Sequence, residues 1–130
     1  MSGLNVEVLA SAIAALEEGL REYKMYPLLT MRDGVIQRFE VAMDLSWKLL
    51  QRTLKSFNIN MEQMRTKNDL FRMAAEYRLI ADAERWIEHY AARNQTSHRY
   101  DGSAANEVFA HVSEFLPDAY DLLARLKRDA

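Results

Sequence analysis

Residues 35–57, "VIQRFEVAMDLSWKLLQRTLKSF", contain neither glycine nor proline and place apolar side chains at a helical interval. Ile36, Met43, Leu50 and Phe57 recur every seven residues, and Phe39, Trp47 and Leu54 widen the stripe. Val35, Ala42 and Leu49 form a neighbouring row about 100° around the axis. One adjacent helix cannot cover so broad an apolar arc, so the pattern predicts a central helix. Contact with both its own bundle and a second subunit would satisfy that arc, as would enclosure within one chain.

The remaining segments are also helical in period. Leu9, Ile13, Leu16 and Leu20 fall at offsets 0, 4, 7 and 11, which predicts a first helix from about residue 5 to about residue 25. Pro27 cannot continue a helix interior, and "MYPLLTMRDG" reads as the connection, with Asp33-Gly34 as its turn. Thr66 with Asp69 three residues on is a capping pattern ahead of a short helix containing Leu70 and Phe71. Asp82 can cap a fourth helix. Asp101-Gly102-Ser103 breaks the chain, Ser103 is expected to cap the next helix, and Val108, Val112 and Phe115 share one side of it. Pro117 is expected to interrupt or kink that helix before "DAYDLLARLKRDA" completes it. With only four glycines and two prolines, and no strand-like alternation, the chain is expected to be all-α. The architecture is expected to be an up-and-down antiparallel four-helix bundle with an extra short helix, as a single domain over residues 1–130.

Charge and composition narrow the functional classes. The net charge is −2, so a polyanion would have to be held by a local cluster of Arg and Lys, not by the field of the whole molecule. There is no cysteine, which excludes disulfides and thiolate metal sites. The N-terminal segment carries no Lys or Arg before its apolar run, and Glu17-Glu18 interrupts it. It reads as neither a signal peptide nor a membrane anchor, and a cytoplasmic protein without membrane contact is expected.

The fourth helix changes character along "WIEHYAARNQTSHRYDGS". Ile87, Ala91, Asn94 and His98 fall on one stripe, and Trp86, Tyr90, Arg93, Ser97 and Tyr100 on the adjacent one. The surface that packs the core at the start of the helix therefore becomes polar near its end. One reading is a helix end entering solvent, where cations near the last carbonyls are favourable. The other is a wet cleft with chemistry. An imidazole can exchange a proton near neutral pH, and a guanidinium can hold two phosphate oxygens in a fixed fork. Asn94 adds a donor and an acceptor, and Tyr100 a phenol. A base and a phosphate clamp are the minimum for metal-free cleavage of RNA, with His98 deprotonating a 2'-hydroxyl and Arg93 stabilising the phosphate oxygens. A homodimer would supply a second imidazole across its axis. This chemistry calls for no metal and no cofactor.

Residues 93–100, "RNQTSHRY", spell R-x4-H-x-Y with a polar Asn directly after the Arg. This resembles the HEPN superfamily, whose nuclease members carry R-x4-6-H with a polar residue after the Arg. "RNQTSHRYD" and "RDGVIQRFEVAMDLSWKLL" together are similar to the subfamily of nucleotidyltransferase substrate-binding proteins, close to HepT-type toxins. The resemblance runs over nearly the whole chain. It implies a helical bundle, a homodimer and a partner encoded nearby, a minimal nucleotidyltransferase. It also implies one of two roles. In the first, Arg93 and His98 belong to a toxin ribonuclease, with Asn94 and Ser97 in support, which the partner silences by transferring AMP to Tyr100. In the second, the protein is a non-catalytic subunit that holds a substrate for the transferase.

Other polar residues read as structural. His89 and His111 have no acidic or cysteine partner at ligand spacing and are expected to be packing residues. The methionines read as core filler, and Trp47 as packing more than binding. Arg65, Lys67, Arg72, Arg78 and Arg99 are expected to form a solvated face, with a nucleic-acid groove as the sharper alternative. Arg32, Asp33 and Arg38 could pair at a subunit interface.

Overall fold

The computed structural model describes residues 5–98 and 101–128, with the backbone alone at Ser97 and His98. Among the described residues the chain is wholly helical: α1 (Val6–Met25), α2 (Leu29–Ser56), α3 (Lys67–Glu76), α4 (Ala83–Asn94) and α5 (Gly102–Arg128), with 3-10 turns at Met61–Met64 and Gln95–His98. No helix among them is long and apolar enough to cross a membrane.

The apolar rows read from the sequence form the core. Leu9, Ile13 and Leu16 of α1, both rows of α2 from Val35 to Leu54 except the half-buried Trp47, and Val108, Val112 and Phe115 of α5 are all buried. Helix α2 is central, packing against α1, α3, α4 and α5. Phe39 stands edge-on to Phe115 at 5.0 Å between ring centres, and Phe115 edge-on to Trp86 at 5.7 Å. Offset and edge-on ring pairs match the positive edge of one ring to the negative face of the next. This aromatic seam joins α2, α5 and α4. Phe57, at the end of the heptad row, is instead exposed and pairs with Tyr77.

Three local expectations need correction. Helix α2 begins at Leu29, so Asp33 and Gly34 lie inside it and not in a turn. Both residues carry a modest helix penalty, about 1 kcal/mol or less each, which a helix anchored over so many buried positions absorbs. Arg32 also bridges Asp33 and Asn106, tying the start of α2 to the start of α5. Secondly, α5 is capped by Asp101, whose carboxylate accepts from the Ser103 backbone N–H at 2.9 Å. Ser103 is therefore already inside the helix. Thirdly, Pro117 does not interrupt the helix, and α5 is continuous from Gly102 to Arg128. One turn from the proline, Arg85 of α4 donates to the carbonyl of Glu114 at 3.2 Å.

Helix α4, which carries the candidate site, starts at Asp82 as expected. Its carboxylate accepts from the backbone N–H groups of Glu84 and Arg85 at 2.9 and 3.3 Å. Asp82→Ala is expected to lower stability by about 1 kcal/mol, read as a shift of the urea midpoint with unchanged slope.

Packing between α1 and α2 is close at Gly19. A Cβ there would sit 3.1 Å from Arg38 Nη1 and 3.3 Å from a Val35 methyl. That nearness lets Arg38 reach across and donate to the Ala15 carbonyl at 2.7 Å. The guanidinium weighed as an interface residue thus has an intrachain partner.

Candidate active site

Arg93 lies in the last turn of α4 and projects onto α2. Its Nε and Nη2 donate to the two carboxylate oxygens of Asp44 at 2.9 and 3.1 Å, and its Nη1 donates to Thr96 Oγ1 at 2.8 Å. The Thr96 hydroxyl in turn donates to the Arg93 carbonyl at 2.7 Å. Thr96 is buried, so the hydroxyl is locked in this double role. Hydrogen bonding to Asp44, and then its charge, raise the pKa of Arg93 further above its ordinary value. A guanidinium has five N–H donors. Three are engaged, and among the described residues two remain, one on each terminal nitrogen. The side chains of Arg93 and Asp44 keep 27% and 34% exposure, which leaves those donors accessible to a ligand.

The chain then changes helical type. Helix α4 ends at Asn94 and tightens into the 3-10 turn Gln95–His98. The Gln95 N–H bonds back to the carbonyls of α4, so the end of the helix is tied down. A 3-10 turn advances three residues per turn, not 3.6, so the α-helical register that put His98 beneath Asn94 stops short of it. The backbone of His98 closes the turn that begins one residue after Asn94. Asn94 itself is exposed, on a different face of α4 from Arg93. The side chains of Ser97 and His98, and Arg99 and Tyr100 altogether, lie outside the described residues. Beside the turn is a small cavity of about 190 Å³ lined by Ala92, Gln95, Glu107, Val108 and His111.

The histidines read as partnerless have partners. His89 is fully buried, with Nε2 at 2.6 Å from Asp118 Oδ2 and Nδ1 at 2.7 Å from His111 Nε2. Arg85 donates to the same Asp118 oxygen at 2.8 Å, and His111 Nδ1 lies 3.1 Å from Glu114. Burial is the largest influence on His89 and pushes its pKa down to about 4, against the opposing pull of Asp118. The ring is therefore neutral at pH 7. It donates through Nε2 to Asp118 and accepts at Nδ1 from His111, an assignment made from the bond pattern. The network fastens α4 to α5 below the site, so His89 is structural as expected, although its acidic partner lies 29 residues away.

Sequence reading missed Asp44, Thr96 and Asp118. Asp44 stands within the quoted second-helix block, and a polar residue between Met43 and Leu45 in an otherwise broad apolar arc is the signal that was available. Of the basic residues weighed as a face, Arg65 pairs with Glu62, and Arg72 with Asp69 and Glu84.

The sequence profile of the family described as "Nucleotidyltransferase substrate binding protein like" matches residues 4–128, and the chain belongs to that family. It is 32% identical over 136 residues to the Haemophilus influenzae protein named probable ribonuclease HepT, covering 96% of this chain and 93% of that protein. A solved H. influenzae structure, described as revealing the fold of a substrate binding domain of a nucleotidyltransferase, superposes with a TM-score of 0.86 at 32% identity. It spans 95% of this chain and 99% of its own. A crystal structure from Thermus thermophilus is similar with a TM-score of 0.74 at 27% identity, over 91% of this chain and 98% of that one.

Proposed function

We propose that the protein is the helical partner of a minimal nucleotidyltransferase and the ribonuclease half of a toxin–antitoxin pair. The observation that carries the chemical part is the state of Arg93: three N–H bonds fix the guanidinium to α2 and to its own turn, and two N–H groups have no bond among the described residues. A cation held in this way offers a preorganised grip for the oxygens of a phosphodiester. The name of the H. influenzae relative supports the same reading.

In this reading His98 takes the proton of a 2'-hydroxyl. The 2'-oxygen attacks phosphorus, the bond to the 5'-oxygen breaks, and the products are a 2',3'-cyclic phosphate and a 5'-hydroxyl. In a homodimer the imidazole of the second copy protonates the departing 5'-oxygen. Arg93 holds the non-bridging oxygens as charge builds on them. Control follows from transfer of AMP from ATP to the Tyr100 phenol, releasing pyrophosphate. That adds bulk and a negative phosphodiester two residues from His98 and competes with RNA for Arg93.

The second reading, a non-catalytic subunit that positions a substrate for the transferase, is favoured by the description of the family and of the H. influenzae structure. Incubating the purified protein with RNA in EDTA separates the two. The ribonuclease reading expects fragments ending in cyclic phosphate. An inert protein that still binds its transferase selects the subunit. With the transferase and ATP, intact mass is expected to rise by one or more AMP units in the wild type and not in Tyr100→Phe.

A further inference from the structure

We propose that Trp47, Lys48 and Lys67 form a binding site for one nucleotide of single-stranded RNA beside the Arg93 grip, the indole stacking the base and the two ammonium groups holding its phosphate. The site rests on the ribonuclease reading above and extends it from the scissile phosphate to a neighbouring nucleotide.

Position is the first support. Asp44, which holds Arg93, shares one face of α2 with Trp47 and Lys48, three and four residues on. Four residues of helix rise about 6 Å, so the indole and its lysine lie one helical turn from the guanidinium clamp. A strand gripped at Arg93 and laid along α2 meets an aromatic face and a cation next.

The charges are the second support. Lys67, the first residue of α3, places its ammonium 4.0 Å from the centre of the Trp47 ring, and Lys48 places its own at 5.7 Å. Among the described residues neither lysine pairs with a carboxylate. By contrast, Arg21, Arg65, Arg72, Arg85, Arg93 and Arg125 are each bonded to one. In a chain of net charge −2, two cations gathered on an indole and left without an acid are suited to an anion from outside.

The third support is the mounting of the ring. Trp47 is half-buried and packed against the core on one side, so it is a fixed platform. A cation over a half-buried indole is held weakly compared with a stacked base. An incoming phosphate can draw Lys67 aside and free the ring face for the base. Stacking of this kind reads no sequence, because every base has a π-face.

The test uses the full chain and a 2'-O-methyl RNA oligonucleotide, which cannot be cleaved through its 2'-position. Tryptophan fluorescence is the readout, since Trp86 is 1% exposed and only Trp47 can stack with a ligand. The oligonucleotide is expected to quench the wild type. The Lys48→Gln/Lys67→Gln double variant, whose side chains lie at the surface, is expected to bind about tenfold more weakly. Its slope of log K against log salt is expected to be shallower by about 0.7, the value for one phosphate no longer neutralised by the protein. Trp47→Leu, followed by anisotropy of a labelled oligonucleotide, is expected to lose about tenfold in affinity. Cleavage of the matching RNA is run in parallel. If the wild type cleaves and the lysine variant binds and cleaves like it, the nucleotide site is overturned and the ribonuclease reading stands. Quenching with RNA left intact supports the site and removes the nuclease. Neither binding nor cleavage removes both.

Discussion

Arg93→Ala is expected to lower RNA cleavage by about a thousandfold, and Asp44→Ala by about a hundredfold, in proteins that still melt cooperatively. On the ribonuclease reading, the first removes the donors that would meet the phosphate, a loss of the size seen when one transition-state donor is deleted. The second leaves the cation in place but frees it to swing, since Nε and Nη2 lose the carboxylate that fixes them. Misplacement of a binding group by about 1 Å can cost a hundredfold. Arg93→Lys is expected to resemble Arg93→Ala more than the wild type, because an ammonium cannot bond Asp44 and a phosphate in one fork. The half-exposed Arg93–Asp44 pair contributes about 1 kcal/mol or less to folding, so single-turnover cleavage and thermal melts on the same samples separate chemistry from stability. Equal cleavage by Asp44→Ala and wild type would remove the positioning role of Asp44.

The second large effect is on stability in acid. His89 has a folded pKa of about 4 and an ordinary, unfolded value near 6.5. The folded state therefore binds fewer protons than the unfolded state between those values. The resulting stability is present in full above pH 6.5 and is lost as the pH falls through 4. By pH 4 the loss is about 3 kcal/mol, from the cost of about 1.4 kcal/mol per pKa unit. His89→Phe keeps an aromatic ring against Trp86 and Phe115 and removes the titrating group. It is expected to show a flatter dependence of urea-unfolding free energy on pH from 7 to 4. Parallel curves for the two proteins would mean that His89 is not buried neutral.

The helices were legible in the sequence because their information is local. Ile36, Met43 and Leu50 repeat within one segment, and the threonine and aspartate caps act within three residues of themselves. Thr66 and Asp82 each accept backbone N–H bonds in the structure. Misreadings arose where a local signal met a tertiary one. Asp33-Gly34 carries turn chemistry, yet the buried face of α2 extends the helix through it. Of the geometry around Arg93, only part was legible. Arg93 and its turn stand out as polar residues on an apolar stripe, but Asp44 is 49 residues away and becomes a neighbour only through the crossing of α2 and α4. The same holds for His89 and Asp118, whose pairing depends on the packing of α4 on α5.

The guanidinium is anchored to the long central helix and, through Thr96, to the short turn that His98 closes. In the proposed reading, grip and proton chemistry thus meet at one short turn outside the core. On the proposed reading, a bulky group attached to the chain just beyond that turn silences the molecule while leaving the core around Phe39, Trp86 and Phe115 untouched. Live and silenced populations would then unfold at the same temperature, and removal of the group would restore function with no refolding step.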